Sequence, residues 1–217
     1  QGHIDFFDGR GKNIFVKWYQ RMGRYEEMIR QTLREEGLPE DLIYVAMIES
    51  GFSPFARSPA QAVGMWQFIE STGRAMGLRI DNYVDERKDP IKATRAAAQY
   101  LKSLYQTFES WPLALAAYNG GPGLVSKEMR RLNTNSYWTL LDRVGMYEET
   151  RRYVPRILSA GLLCKNDKQF GLHALPTPKK LTYDIVEVHR SLPLQLIAKK
   201  LNIRADELRD LNPELIR

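Results

Sequence analysis

One short segment, from Leu42 to Gly51, constrains the fold more than any other part of the chain. Its first seven residues are all apolar, which is typical of a helix that is buried on every side. Glu40 and Asp41 place negative charge at the positive end of the helix dipole, and Gly51 supplies a C-terminal stop. Such a helix is stable only inside a folded domain, so we expect other helices to pack around it.

Glu49 ends this apolar run and follows Val45 and Ala46 at four- and three-residue spacing. Burial and the negative end of the helix dipole both disfavour an ionised carboxylate, so both should raise the pKa of Glu49. A carboxyl group that keeps its proton near neutral pH is suited to general acid catalysis. The alternative is a structural glutamate paired with a base such as Arg57, and this segment alone favours neither.

Composition argues against several classes of protein. Hydrophobic residues make up 43% of the chain and charged residues 27%, as in an ordinary soluble domain. No apolar run approaches the roughly 20 residues of a membrane helix. The single cysteine, Cys164, and three scattered histidines show no metal-ligand spacing, so we expect no metal and no other cofactor. The net charge of +6 is spread among acidic neighbours, which predicts no nucleic-acid partner.

Three further side chains are candidates for a binding site. Gln67 lies among large apolar residues, where burial without a hydrogen-bond partner would cost about 1–3 kcal/mol. Tyr118 and Asn119 precede a glycine-rich turn, and both can hydrogen-bond a polar ligand. A core tyrosine and a helix-capping asparagine are equally compatible with that position. If the helices pack together, all three side chains converge on Glu49.

A lone acid of raised pKa, without a metal, is suited to cleaving a glycosidic bond, because the leaving oxygen must be protonated as it departs. Most glycosidases add a second carboxylate as base or nucleophile. The candidates for that role lie in hydrophilic stretches: Glu70, Asp81, Asp85 and Glu149. This shortage favours a reaction in which the substrate supplies its own nucleophile.

Four segments together resemble the signatures of the soluble lytic transglycosylase domain, the goose-lysozyme-like branch of the lysozyme superfamily. In chain order they are Ile48–Ser58, Gly64–Gln67, Ala116–Val125 and Glu149–Val154. Within this family, the chain most resembles the membrane-bound type D subgroup. The features that indicate this subgroup are Trp66, the N-terminal helical segment and the C-terminal tail after the catalytic domain. The resemblance implies cleavage of the β-1,4 bond between N-acetylmuramic acid and N-acetylglucosamine in peptidoglycan, with formation of a 1,6-anhydro product.

The resemblance also implies roles for individual residues. Glu49 is expected to protonate the leaving oxygen and then to act as base on the muramoyl C6 hydroxyl. The family positions that line the saccharide groove correspond to Ser58, Gln67, Ile69, Tyr118, Asn119 and Tyr153. The implied partner is the glycan strand of peptidoglycan. The implied location is the bacterial envelope, in the periplasm, with outer-membrane association through a lipid anchor that this chain does not contain.

We therefore predict a mainly α fold, a lysozyme-like helical domain with a small C-terminal α+β appendage. The predicted segments are an N-terminal helical segment at 1–29, the catalytic domain at 30–165, a linker at 166–180 and the appendage at 181–217. The appendage begins with strand-forming residues at 183–188 and continues with two helices, Pro193–Leu201 and Ala205–Leu211. This order resembles an incomplete LysM carbohydrate-binding module, and a simple packing appendage is the alternative.

Two other functions remain open from the sequence. One is a hydrolytic lysozyme or chitinase of the same fold, which needs a positioned water and usually a second acid. The other is a non-catalytic glycan-binding protein of the envelope, for which the carboxyl group of Glu49 would be dispensable.

Overall fold

The computed structural model describes residues 2–141, 147–176, 178–190 and 192–216. Positions 1, 142–146, 177, 191 and 217, which the predicted segments include, lie outside the described residues. The described part is mainly helical, as predicted. Its helices are α1 (Gly2–Asp8), α2 (Lys12–Glu35), α3 (Ile43–Ser50), α4 (Glu70–Ala75), α5 (Pro90–Phe108), α6 (Trp111–Gly120), α7 (Pro122–Leu132), α8 (Tyr137–Leu141), α9 (Glu148–Lys165), α10 (Leu194–Leu201) and α11 (Ala205–Leu211).

Helix α3 lies at the centre of the core, as its apolar sequence predicts. The side chains of residues 43–47 are buried, and the helix packs against α2 and α9. Gly161 of α9 allows this close approach, because a Cβ atom there would lie 3.0 Å from ring atoms of Tyr44. Packing from both sides stabilises a helix of only eight residues, which would not persist alone.

Helix α5 begins as its sequence indicates and packs against α2 and α6. The Asp89 carboxylate caps it by accepting hydrogen bonds from the amides of Ile91, at 2.8 Å, and Lys92, at 3.0 Å. Its buried face includes small residues such as Ala93 and Ala97, which let the neighbouring helices approach closely. Helix α6, which carries Tyr118 and Asn119, also packs against α7 and α9.

Helix α2 is continuous across the boundary predicted between residues 29 and 30. Its buried side chains keep helical spacing on both sides of that boundary, with Phe15 and Met22 before it and Leu33 after it. Helix α1 packs against α9. The N-terminal segment therefore shares one core with the rest of the helical body. Among the helices in the described residues, none has the length and apolar character needed to cross a membrane.

The predicted linker at 166–180 is packed along α2. Leu172 is buried, and the carbonyl of Pro176 accepts a hydrogen bond from Nε2 of Gln20 at 3.2 Å. The amide of Leu181 donates to the carbonyl of Arg24 at 2.9 Å. The composition of residues 166–180 predicts a linker, and these contacts hold its described part against the helical body.

The strand predicted at 183–188 is wrong. Within the described residues 181–190 no strand pairing forms, and Ile185 is 83% exposed. Strand-forming residues make a strand only when a partner edge lies beside them, and no described segment provides one here. The two predicted helices of the tail are present as α10 and α11, which pack against each other. Farther on, Leu215 forms an antiparallel bridge with Val84.

Candidate active site

The C-terminal end of α3 fixes the position of Glu49. The helix stops at Gly51, which adopts a left-handed backbone with φ of +57°. A Cβ atom at this position would lie 1.9 Å from Cδ1 of Trp18, so glycine is required here. Nη1 of Arg21 donates to the carbonyl of Gly51 at 2.9 Å. The N-terminal helix α2 thus supports the end of the helix that carries Glu49.

Glu49 lies in a cleft and is largely desolvated by the surrounding protein. Burial raises its pKa to about 7, while a hydrogen bond from the Tyr153 hydroxyl and the charge of Arg156 oppose the rise. The negative charge of Glu149 adds to it. The raised pKa predicted from the sequence is therefore confirmed. The alternative partner, Arg57, instead donates from Nε to Oε1 of Gln61 at 2.7 Å.

Two tyrosines surround the Glu49 carboxyl group. The hydroxyl of Tyr153, on α9, donates to Oε1 of Glu49, and the hydroxyl of Tyr118, on α6, donates to the carbonyl of Trp66 at 2.8 Å. Burial, with the nearby carboxylate of Glu49 as the second cause, raises the pKa of each phenol well above its usual value. Both therefore stay neutral and act as hydrogen-bond donors.

Residues 56–69, between α3 and α4, form one side of the cleft, and we call them the loop wall. Hydrogen bonds within the segment hold it, from the amide of Ser58 to the carbonyl of Ala62 at 2.9 Å and from the amide of Val63 to the carbonyl of Phe68 at 3.0 Å. Gln67 has a left-handed backbone with φ of +51°, and its Nε2 donates to the carbonyl of Gly64 at 2.8 Å. The partner that burial of this amide requires is thus supplied by the loop wall itself.

The other side of the cleft is formed by the side chains of Glu49, Tyr118 and Asn119. Together with Tyr153, which is buried behind Glu49, we call these side chains the helical wall. The amide group of Asn119 is fixed by two neighbours on α9. Thr150 Oγ1 donates to its Oδ1 at 2.8 Å, and its Nδ2 donates to Oε1 of Glu149 at 3.5 Å. The side chain of Asn119 is thus held in place by α9 rather than acting as a simple helix cap.

The cleft between the two walls encloses about 530 Å³. Of the predicted site residues, six line it: Glu49, Ser58, Gln67, Ile69, Tyr118 and Asn119. Tyr153 does not line the cleft, because it is buried behind Glu49 and contacts the carboxyl group directly. The structure therefore brings together residues that lie up to 104 positions apart in the chain.

Among the other residues that line the cleft, Tyr147 and Thr150 have no role predicted from the sequence. The sequence predicts Glu149 only as a possible second carboxylate, whereas the structure places it beside Asn119. Tyr147 is 73% exposed and precedes α9. Glu149 and Thr150 open the fourth signature segment, so their position beside Tyr153 in the chain was the available signal. The other acids considered as a second carboxylate, Glu70, Asp81 and Asp85, each pair with an arginine.

The groups that line the cleft are suited to transferring a proton to a polar ligand. A carboxyl group titrating near neutral pH lies among neutral phenol and amide donors, which suits an uncharged substrate with many hydroxyl and amide groups. Within the described ranges, no group of histidine, cysteine, aspartate and glutamate side chains is arranged to hold a metal ion.

Comparison of the sequence with protein-family models gives a match to the transglycosylase SLT domain over residues 27–141. The chain is 33% identical over 210 residues to the membrane-bound lytic murein transglycosylase D of Escherichia coli K12, covering 94% of this chain and 45% of that protein. It is also 33% identical over 137 residues to the peptidoglycan transglycosylase gp16 of phage T7, covering 62% of this chain and 10% of gp16. The chain thus spans less than half of either relative.

Solved structures agree with these sequence matches. An inactive mutant of the lytic transglycosylase Slt from Pseudomonas aeruginosa superposes with a TM-score of 0.55 at 25% identity, covering 66% of this chain and 24% of that one. The 70 kDa soluble lytic transglycosylase of Escherichia coli superposes with a TM-score of 0.56 at 22% identity over the same shares, which shows a common fold. The resemblance to the soluble lytic transglycosylase domain is confirmed, and the chain belongs to the transglycosylase SLT domain family.

Proposed function

We propose that this protein is a lytic transglycosylase that cleaves the β-1,4 bond between N-acetylmuramic acid and N-acetylglucosamine in peptidoglycan. The observation that carries the proposal is the desolvated Glu49 at the cleft, with a pKa of about 7 and a phenol donor on its carboxyl group. The family match and the murein transglycosylases among its relatives support the same substrate.

Glu49 acts first as an acid and then as a base. It protonates the glycosidic oxygen, so that the bond from this oxygen to C1 of the muramoyl sugar breaks and the leaving sugar departs with a free hydroxyl group. The acetamido oxygen of the muramoyl sugar helps to stabilise the cationic intermediate. The Glu49 carboxylate then removes the proton from the C6 hydroxyl, whose oxygen bonds to C1 and closes the 1,6-anhydro ring.

A pKa near 7 is suited to both steps, because the group must give up a proton and take one back within a turnover. Positioned proton transfer of this kind contributes about 10²–10⁴-fold to the rate. Ser58, Gln67, Ile69, Tyr118 and Asn119 are proposed to bind the sugars. Tyr153 is proposed to orient the Glu49 carboxyl group from behind.

The proposed location is the bacterial envelope, in the periplasm. Peptidoglycan lies there, and several relatives, among them types D and F, carry the description membrane-bound lytic murein transglycosylase. Attachment to the outer membrane through a lipid anchor outside this chain is part of the same proposal.

One observation bears on the hydrolytic alternative. Glu149 lines the cleft together with Glu49, so a second carboxylate is present where a hydrolase would need a base for water. Glu149, however, accepts a hydrogen bond from Asn119. We therefore assign it to the positioning of Asn119 in the helical wall.

Mass spectrometry of digested peptidoglycan sacculi tests the proposal. Wild-type protein is expected to release fragments with 1,6-anhydro ends, and Glu49→Gln to lose turnover by about 10²–10⁴-fold while keeping its fold. Glu149→Gln is the matched control, a change of the same type in the same cleft, and should still give anhydro ends.

Products with only reducing ends would establish a hydrolase. If Glu149→Gln abolished the products with reducing ends, Glu149 would be the base that activates water. If neither wild type nor Glu49→Gln released fragments, and Glu49→Gln left the cell-wall phenotype of the protein unchanged, the protein would bind glycan without catalysing its cleavage.

For the tail we propose an incomplete LysM-like unit at residues 181–216. The supporting observations are the pair α10 and α11 and a groove of about 910 Å³ beside them, lined largely by aliphatic side chains such as Val186, Ile197 and Leu208. Sedimentation with purified peptidoglycan tests it: Leu208→Asp in the Glu49→Gln background should reduce binding if the groove holds glycan. Unchanged binding would leave the tail a packing appendage.

A further inference from the structure

The loop wall of the cleft rests on a buried ion pair outside the cleft. Nε and Nη2 of Arg87 donate to the two carboxylate oxygens of Asp85, both at 2.8 Å, in a bidentate arrangement. Both residues are only 6% exposed. A bidentate pair fixes the plane of the guanidinium group, so the remaining nitrogen of Arg87 has a defined direction.

That remaining nitrogen, Nη1 of Arg87, contacts the loop wall at two points. It donates to the carbonyl of Gln61 at 3.3 Å and to the carbonyl of Phe68 at 3.2 Å. The two carbonyls lie at the middle and near the end of the loop wall. Gly64, between them, packs so closely that a Cβ atom there would lie 1.8 Å from the carbonyl oxygen of Arg87. One guanidinium group therefore fixes the spacing of the segment that carries Gln67.

The C-terminal end of the described chain in turn holds the segment that carries Asp85. The amide of Asp85 donates to the carbonyl of Glu214 at 2.9 Å, and the amide of Ile216 donates to the carbonyl of Tyr83 at 2.8 Å. Between these bonds, Val84 and Leu215 form an antiparallel bridge. A short two-stranded pairing thus joins the tail to the backbone on which the ion pair is built.

We propose that Arg87, anchored by Asp85, is a positioning residue for the loop wall, and that pairing of residues 214–216 with 83–85 holds this anchor in place. The tail thereby contributes to the substrate-binding wall of a cleft that it does not line. A buried ion pair often adds little net stability, and its established use is to specify one arrangement, which is the role assigned here. The consequence for substrate binding rests on the proposed function, whereas the mechanical coupling does not.

Two variants at one position test the coupling in the full chain. Ile216→Pro removes the amide proton that bonds to Tyr83, whereas Ile216→Ala keeps that proton and removes only the side chain. Amide hydrogen exchange at Ser58 and Val63 is the readout, with the amides of α3 as the internal reference. We expect exchange in the loop wall to rise about two- to tenfold in Ile216→Pro, the range that one hydrogen bond contributes, and to stay near wild type in Ile216→Ala.

Kinetics on glycan strands give the second readout. Ile216→Pro should raise KM by about two- to tenfold with kcat within about twofold of wild type, because the helical wall and Glu49 are untouched. Equal effects of the two Ile216 variants, or a loop wall whose exchange is unchanged in Ile216→Pro, would overturn the coupling. If hydrogen exchange supported the coupling but the protein had no lytic activity, the coupling would stand and the proposed function would be wrong.

Arg87→Lys tests the ion pair itself. Lysine keeps the charge opposite Asp85 but cannot make the bidentate pair and also reach the carbonyls of Gln61 and Phe68. We expect faster exchange at Val63 and a raised KM, and Arg87→Lys combined with Ile216→Pro should add little to either single change because both act on one path. Fully additive effects would show that the tail and Arg87 act separately and would contradict the proposal.

Discussion

The helical wall of the cleft consists of side chains that project from three buried helices, whereas the loop wall is a non-helical segment held by hydrogen bonds and one buried ion pair. Glu49 is held by the packing of α3 against α2 and α9. Gln67 is held by a hydrogen bond to the carbonyl of Gly64 in its own loop, and Arg87 donates to a different carbonyl of that loop, that of Phe68.

This difference separates the tasks of the two walls. Apolar packing around α3 both fixes Glu49 and removes water from it, so the same interaction provides position and raised pKa. Hydrogen bonds and left-handed backbone positions provide the shape of the loop wall, and the buried charges that support it, Arg87 and Asp85, are paired with each other. We therefore expect changes in the helical wall to alter proton chemistry and changes in the loop wall to alter binding.

The largest expected effect is on the folding of the loop wall. Gly64 has φ of +84°, and an added Cβ atom would lie 1.8 Å from the carbonyl oxygen of Arg87. Gly64→Ala should lower the free energy of unfolding by about 3–5 kcal/mol, through left-handed strain and overpacking together. Denaturant melts give the measurement.

Gly77→Ala is the control for that change, because Gly77 has φ of +81° but nothing within 4 Å of an added Cβ atom. It should cost only about 1–2 kcal/mol. Equal costs for the two variants would show that the contact with Arg87 does not constrain the loop wall.

The second prediction concerns the dependence of stability on pH. The pKa of Glu49 is raised from 4.5 to about 7 in the folded protein, so the folded state keeps a proton that the unfolded state releases. The contribution of Glu49 to the free energy of unfolding should therefore fall by up to about 3 kcal/mol as pH rises from about 4.5 to about 7, and then level off.

The difference between wild type and Glu49→Gln isolates this contribution, because all other titrating groups are shared. If the difference in the free energy of unfolding between the two proteins did not change with pH, Glu49 would ionise as a solvated side chain does. The helical wall would then differ from the loop wall in structure but not in its effect on proton chemistry.

A smaller effect is expected from Tyr153→Phe. The hydroxyl of Tyr153 lowers the pKa of Glu49, so its removal should move that pKa above about 7 and shift the alkaline limb of the pH–rate profile upward. Turnover should fall by about tenfold or less, because one hydrogen bond that orients the carboxyl group is lost.

Tyr137→Phe is the matched control for Tyr153→Phe. The Tyr137 hydroxyl donates to the carbonyl of Arg151 at 3.1 Å, so the change also removes a hydrogen bond to α9 without touching Glu49. A similar shift of the pH–rate profile in both variants would contradict a direct role for Tyr153.

The smallest effect is expected at Asn119. Thr150→Val removes the hydroxyl that donates to Oδ1 of Asn119, while the side chain keeps nearly the same volume. KM for glycan strands should rise by about two- to tenfold with little change in kcat, and Thr150→Ser should restore it. A fall in kcat with unchanged KM would mean that Asn119 acts in the chemical step rather than in substrate binding, which would contradict the division of tasks proposed here.

Much of the helical wall could be predicted from the sequence. The apolar run before Glu49, the stop at Gly51 and the cap at Asp89 follow from local rules, so α3 and α5 were predicted close to where they lie. The upward shift of the Glu49 pKa could also be predicted from the sequence, since burial and the helix dipole both act through the helix that carries Glu49. The sequence could not show that Arg57 lies away from Glu49, because the hydrogen-bond partner of Arg57 is set by the folded loop.

The strand-like residues at 183–188 show where local rules fail. Their composition favours a strand, but a strand depends on a neighbouring edge that sequence pattern does not supply. The packed state of the predicted linker and the continuity of α2 likewise depended on contacts between distant segments.

The sequence by itself determined a mainly helical protein, a glutamate at the end of a buried helix, and a resemblance to a glycan-cleaving family through four short signatures. Only the tertiary structure decided that Tyr153 lies behind Glu49, that Thr150 fixes Asn119, and that Arg87 supports the loop wall. The reason is physical: helix periodicity and capping act over a few residues, whereas hydrogen bonds between distant segments exist only after the chain has folded.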